Sequence, residues 1–516
     1  MDSLLFLCAR RVVAQCPLPA LPPHLYPALF QAAFLDGRFL VLQDLVATWP
    51  FPVLHFQRLL GHLELDFFHP RLKCVQAVIQ GVVAHLQREL EEPSHNSSLR
   101  ILNMSMLPES ESCHTLTGMN LWCITDNLAK ACVEMSEHLQ EFQKRRSKHD
   151  KGCSRANTAT AALQCPGVDI YADLRVSRCS YGILCNALQT GATGLLRIKC
   201  RKFQAEDISA FEIATLLESL DPSCLQRVEL RFNKFGLAGL SVILPHLSRF
   251  PELCSLKMGH NNVDVHNLTP KTAMTIRCVA QQLGMLSSLR ELNLGFSRLS
   301  GNLHQILCEL QTPLESLELP FCDLLPADLA FLSQSIHAPA LKRLDLSSNN
   351  ISQGLLEPLR LLLEETSSSL LHLDLMECYM ADSHLDALLP TLLRCSRLRF
   401  LGLRMNPLSM AALKDLLQKT LELPDLHQVV YPIPKDCYKR GSLGFLCNFA
   451  TGEKLLSAAS AEISQLLANS SRTDLIWTCI PVSCRAMDYF SLGFGKSSDA
   501  GKAQSQHHGK DLPPPY

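Results

Sequence analysis

Aromatic residues make up only 6% of the 516-residue chain, and 48 basic against 49 acidic residues leave a formal net charge of −1. Such an even balance removes the main electrostatic drive toward nucleic acid or an anionic membrane surface, and neither is expected as a partner. No apolar run is long enough to span a bilayer. The first residues, MDSLLFLCARRVVAQ, place an acid before a short apolar run and two arginines after it, the reverse of a secretory signal. The expected location is the cytoplasm, with the nucleus as a second one. Also missing are a glycine-rich phosphate loop, a nucleophile elbow and an HExxH helix. The 22 cysteines scatter singly from Cys8 to Cys484 with no CxxC pair and no finger spacing. They read as small buried apolar residues of a reducing compartment. No catalytic residue, metal or cofactor is expected.

What is present is a repeat. With 47% hydrophobic residues, the chain is longer than the roughly 250–300 residues over which one core usually grows. The pattern LxxLxLxxN/C recurs, clearest from Leu225, Leu253, Leu289, Leu314, Leu341, Leu370 and Leu398, with weaker copies from Leu99, Tyr171, Leu195 and Leu426. The ninth position reads Asn233, Asn261, Ser297, Cys322, Asn349, Cys378 and Asn406. There a chain leaving a short strand turns inward, and a buried hydrogen-bonding side chain satisfies backbone groups that would otherwise be stranded. Segments such as 355–365 and 410–423 follow the strands and are apolar at i, i+3, i+4, as helices. The expected fold is an α/β leucine-rich-repeat solenoid, a horseshoe with strands on the concave face, helices on the convex face and an N-terminal helical cap.

In this division the cap is 1–90 and the solenoid 91–492, with its clearest repeats at 225–425. A flexible basic insertion is expected near 140–161, where KRRSKHDK has nuclear import as its alternative reading. The excess in the stretch 259–275 reads as a loop inserted after a strand, and the polar tail 493–516 as disordered.

Two patterns lie in the cap. Leu4, Cys8 and Val12 rise one helical turn apart, with a small residue in the middle that permits close approach to a partner's groove. This resembles the elongin-C-binding box of cullin substrate receptors. Leu21, Pro22, Leu25 and Leu29 follow, with Pro22 suited to a first helical turn, and resemble the cullin-selecting box downstream of it. The competing reading of both is an amphipathic helix packed on the cap.

On the concave face the fifth strand position carries Glu318, Asp345 and Asp374, an acidic centre between Arg231 and Arg404 of the seventh position. Phe232, Phe296 and Phe321 of the eighth position line one edge. These suggest an acidic, aromatic-edged groove for a basic or amphipathic helical segment, unless the rings pack under the following turns. The tail ends in Pro513-Pro514-Pro515-Tyr516, which resembles a WW-domain ligand; Pro513, Pro514 and Tyr516 would carry that contact.

LPPHLYPALFQAAF, DLVATWPFPVL, the DLRV at 173–176, YPIPKDCY at 431–438 and DYFSL at 488–492 resemble the PRAME family of leucine-rich-repeat proteins. WPFP, YPIPKDCY and DYFSL weigh most, because they lie outside the strand consensus. The resemblance implies a non-enzymatic adaptor in the cytoplasm or nucleus. Some members are substrate receptors of elongin–cullin ubiquitin ligases, which makes elongin B/C and a cullin the expected partners. The alternative it implies is a binding-only damper of Toll-like-receptor and NF-κB signalling that engages the IκB kinase complex.

Overall fold

A computed structural model describes residues 4–15, 18, 21–60, 69–91, 98–105, 118–149, 166–191, 194–266, 269–351, 354–438, 453–470, 472 and 474–479. Two compact units are distinguished: Met1–Ile208 with Glu212–Arg227, and Val228–Gly495 with Ser209–Phe211.

The first unit opens with helices Leu4–Val13, Tyr26–Leu35 and Phe39–Ala47. Four parallel strands follow: β1 (Val53–His55), β2 (Ile101–Asn103), β3 (Val168–Val176) and β4 (Leu196–Ala205), each paired with the next in chain order. Helices Phe56–Leu60, His69–Glu91, Gly118–His149 and Tyr181–Gly191 connect them. Phe30 packs edge-on against Trp49 and Phe56, with centroids at 5.8 and 5.7 Å, and Phe34 meets Phe56 at 5.9 Å. Burying these rings ties the helical segment to the first strand.

The second unit repeats one design. Strands β5 (Arg227–Leu230), β6 (Ser255–Lys257), β7 (Glu291–Asn293), β8 (Ser316–Glu318), β9 (Arg343–Asp345), β10 (His372–Asp374), β11 (Phe400–Gly402), β12 (Gln428–Val430) and β13 (Ile476–Thr478) are ordered by sequence. From β6 onward each pairs in parallel and in register with its successor. A helix returns the chain after most strands, for example Leu356–Thr366 and Met410–Thr420. The consensus leucines, such as Leu289, Leu292 and Leu294, are buried beneath the strands. Each contributes roughly 1.5–3 kcal/mol, and three-residue strands have no other large source of stability. The expected α/β leucine-rich-repeat solenoid is the architecture observed.

Three expectations change. Strand pairing begins at β1, inside the segment 1–90 assigned to a helical cap; β1 is too short to show a periodicity in sequence. Residues 140–149 complete the helix Gly118–His149 instead of starting a loop, while 150–161 lie outside the described residues. The excess near 259–275 is part loop, with a bridge between Asp264 and Arg298, and part helix. Pro270–Gly284 begins within it, and the Thr269 hydroxyl accepts from the Thr272 N–H at 3.2 Å. The tail 493–516, with Pro513, Pro514 and Tyr516, also lies outside the described residues.

Candidate functional site

The ninth position fixes where each strand ends. Asn349 Nδ2 donates to the carbonyls of Leu319 and Leu346 at 2.8 and 2.9 Å, and its Oδ1 accepts from the N–H groups of Cys322 and Leu324. Asn406 repeats this with Leu375 and Leu403 as acceptors and Cys378 and Met380 as donors. Where Cys stands, the thiol donates to the same class of carbonyl: Cys322 to Leu294 at 3.4 Å, Cys378 to Leu346 at 3.3 Å. Burial pushes the Cys322 thiol up to about 12, so it stays a protonated donor.

Turning the ninth side chain inward forces the residue before it into left-handed backbone. Phe232, His260, Phe296, Phe321, Ser348, Glu377 and Met405 all have φ between 53° and 63°, an unusual region for bulky side chains. Their N–H groups still bond across the ladder, as from Phe296 to the Pro320 carbonyl at 2.7 Å and from Phe321 to Ser347 at 3.0 Å. Side chains in one conformation on neighbouring strands therefore rise in register about 4.8 Å apart, and the rings stack. Centroid separations are 4.3 Å from Phe232 to His260, 3.4 Å from His260 to Phe296 and 4.5 Å from Phe296 to Phe321. Instead of packing under the following turns, Phe232, Phe296 and Phe321 remain 51%, 38% and 45% exposed. Burial and the nearby Arg231 lower the His260 pKa, which keeps the stack uncharged at neutral pH. Beside it, Gly259 and Gly295 add no side chain; a Cβ on Gly295 would come within 2.7 Å of Pro320 Cγ.

The third and fifth positions share the sheet face opposite the buried leucines. Lys257 Nζ lies 3.1 Å from Glu291 and 3.4 Å from Glu318, and Arg343 Nε lies 3.4 Å from Glu318. Ser255 donates to Glu291, and Asn293 to Glu318. Burial alone would raise the Glu318 carboxyl, but Lys257 and Arg343 more than offset it and hold it at about 2. Further along the row the sign reverses. Burial, then the Glu318 charge, raises Asp345, and burial, then Asp345, pushes Asp374 up to about 7. Both aspartates also serve the backbone: Oδ1 of Asp345 accepts from the Ser347 N–H at 2.9 Å, and Oδ1 of Asp374 from Met376 at 3.0 Å.

The acidic centre expected between basic ends is therefore corrected. Basic residues stand inside the row, and Glu318 is buried and already paired. Arg404 is exposed and Arg231 partly buried. Lys257 was legible as a fifth-position residue, but Glu291, Arg343 and His372 occupy the third position, whose side chains reach the same face by period-two alternation. Reading that column would have found them.

In the first unit, helix Leu4–Val13 buries Ala9 and Val13 and leaves Leu4 78% exposed, with Leu7 and Cys8 also outward and Val12 partly covered. Arg10 and Asp36 form an ion pair at 2.8 Å. In the second pattern Pro22 is exposed and Leu21 and Leu25 are partly buried, but Leu29 is only 2% exposed. Leu29 is thus corrected from a partner contact to a core residue, because Tyr26–Leu35 turns that face toward the Phe30–Trp49–Phe56 cluster.

A parallel ladder in register and a buried Asn/Cys column at its strand ends define a leucine-rich-repeat protein. The PRAME C-terminal domain matches residues 188–498 and the PRAME N-terminal domain residues 6–110, and the chain belongs to the PRAME family. Leucine-rich repeat-containing protein 14 of Xenopus laevis is 44% identical over 512 residues, covering 95% of this chain and 100% of the relative. The Homo sapiens protein of that name is 40% identical over 513 residues, with the same coverage. Two solved structures show partial likeness. A Bacteroides fragilis protein has TM-score 0.26 and 16% identity, over 50% of this chain and 66% of that one. The TLR13–ssRNA13 complex has TM-score 0.23 and 14% identity, over 69% and 60%.

Proposed function

We propose that this protein is a non-enzymatic, cytoplasmic adaptor that holds a target protein on its repeat ladder and recruits elongin B/C through helix Leu4–Val13, as the substrate receptor of an elongin–cullin ubiquitin ligase. The observation that carries this reading is the outward stripe of Leu4, Leu7 and Cys8 on a helix whose other face is anchored by Ala9 and Val13. Exposed leucines on a short anchored helix supply apolar surface that a partner's groove would bury, at roughly 1.5–3 kcal/mol for Leu4. The aromatic stack, an apolar strip with Lys234, Arg298 and Asp323 exposed beside it, has the anatomy of an interaction surface and is the place assigned to the target.

One observation favours a second reading. Leu29, central to the cullin-box resemblance, is occupied by the unit's own core. A chain that binds without recruiting a cullin would act by sequestration, and the family resemblance then points to the IκB kinase complex. Affinity purification of the intact chain beside a Leu4→Ala/Cys8→Phe variant separates the two. Recovery of elongin and cullin from the intact chain, lost in the variant, supports the receptor. Equal recovery from both, or none from the intact chain, removes that reading.

A further inference from the structure

Within the sheet-face row of the second unit, Asp345 and Asp374 lie side by side in register on β9 and β10. Unlike Glu318, neither makes an ion pair among the described residues. Their Oδ1 atoms are engaged by the Ser347 and Met376 N–H groups, and the second oxygen of each carboxylate has no hydrogen-bond partner among the described residues. On the β11 side, Asp374 is in register with Gly402, which has no side chain. A Cβ there would lie 2.6 Å from Asp374 Oδ1 and 2.9 Å from Met376 Cε, so both side chains lean over that position. His372, two residues before Asp374 and hence on the same face, is only 2% exposed, and neither ring nitrogen has a hydrogen-bond partner. It stacks on Phe400 at 4.2 Å, and burial with the nearby Arg343 keeps it neutral, with one donor and one acceptor unused.

We propose that the Asp345–Asp374 pair is a receptor site for one arginine side chain of the bound partner, beside the buried and unpartnered His372 ring on the same face. The inference rests on the reading that the repeat ladder binds a target. Two adjacent carboxylates with open oxygens match the planar fork of a guanidinium, whose donors are held at fixed angles. The charged groups acting on the pair are Glu318 on β8 and Arg343 on β9, with the neutral His372 on β10; Arg343 is paired with Glu318 and only partly offsets the burial of the two aspartates. The local sum is short of positive charge, and Asp374, pushed up to about 7 by burial and then by Asp345, is partly protonated near neutral pH. Arginine binding releases that proton to solvent as the carboxylate takes up its ion pair.

A random twelve-residue peptide library displayed on phage, selected on the full chain, tests this. The expected result is a shared arginine among the selected peptides. Replacing that arginine by citrulline, or using Asp345→Asn or Asp374→Asn protein, should weaken binding at least about ten-fold. Calorimetry in two buffers of different ionisation enthalpy at pH 7 should show proton release. The Asn variants keep the Oδ1 acceptor, and thermal melts establish that they remain folded. Failure to select any peptide, selection without arginine preference, or unchanged affinity for folded Asn variants overturns the site. Peptides that lack arginine but lose binding in Phe296→Ser or Phe321→Ser protein would overturn this inference while sustaining the ladder as the target surface. Elongin recovery through helix Leu4–Val13 should be unchanged by either Asn variant.

Discussion

The eighth and ninth positions of the repeat are adjacent in sequence and opposite in fate. The ninth is enclosed from Asn261 to Asn406, and its Asn and Cys side chains there bond the backbone of two repeats at once; Asn233 is half-buried and the Ser297 hydroxyl has no hydrogen-bond partner among the described residues. The eighth is held in left-handed backbone by its neighbour, projects outward, and is Phe, His, Ser, Glu or Met from copy to copy. One column holds the solenoid together and the other leaves a surface free to vary. The sheet-face row lies between these extremes: it is polar and largely enclosed, on the face opposite the buried leucines.

The largest expected effect is in the ninth column. Asn406→Leu strands the N–H groups of Cys378 and Met380 and the carbonyls of Leu375 and Leu403. It should lower unfolding stability by about 4 kcal/mol, read from the urea midpoint; a loss below about 1 kcal/mol would dissolve the contrast between the columns. Next is Glu318→Gln, which leaves Lys257 and Arg343 with less compensation at a loss of about 3 kcal/mol near pH 7. Its folded pKa of about 2 lies below the unfolded value, so this contribution is complete above about pH 4.5 and fades as pH falls toward 2. The gap between wild type and variant should close across that window.

Asp374→Asn should act in the opposite direction. The folded pKa of about 7 exceeds the unfolded value, so the folded state retains a proton that the unfolded chain has released, and stability declines as pH rises from about 4 to 7. A neutral Asn keeps the bond to Met376 and escapes that decline. The variant should melt like wild type near pH 4 and gain roughly 1–2 kcal/mol at pH 8. A destabilised variant at pH 8 would place Asp374 with Glu318 among paired charges. The smallest effect is Phe296→Gly: the lost ring stacking, roughly 1 kcal/mol, is largely offset by relief of the positive φ. Thermal melting should shift by only a degree or two, and a collapse of the fold would make the eighth column structural.

Much of this was legible in the sequence. The Leu225 to Leu398 copies predicted strands β5 to β11, and the alternation of Asn and Cys predicted the buried column. The stack was half legible: three phenylalanines stood out, but His260 reads as polar until its ring is found between two others. The row was misread because charge was counted down one position at a time, whereas Lys257 and Arg343 reach Glu318 across strands. Strand β1 escaped because three residues carry no periodicity, and Leu29 because a four-residue spacing places leucines on one helix face but leaves open what fills it.

The sequence by itself determined the architecture, since spacing of about 28 residues with enclosed leucines has one low-energy solution: stacking of unit on unit. Tertiary structure alone decided which charges remain available. Coulomb energies depend on distance and burial, and both are set by register between strands far apart in the chain. That register pairs Glu318 with cations and leaves Asp345 and Asp374 facing one another.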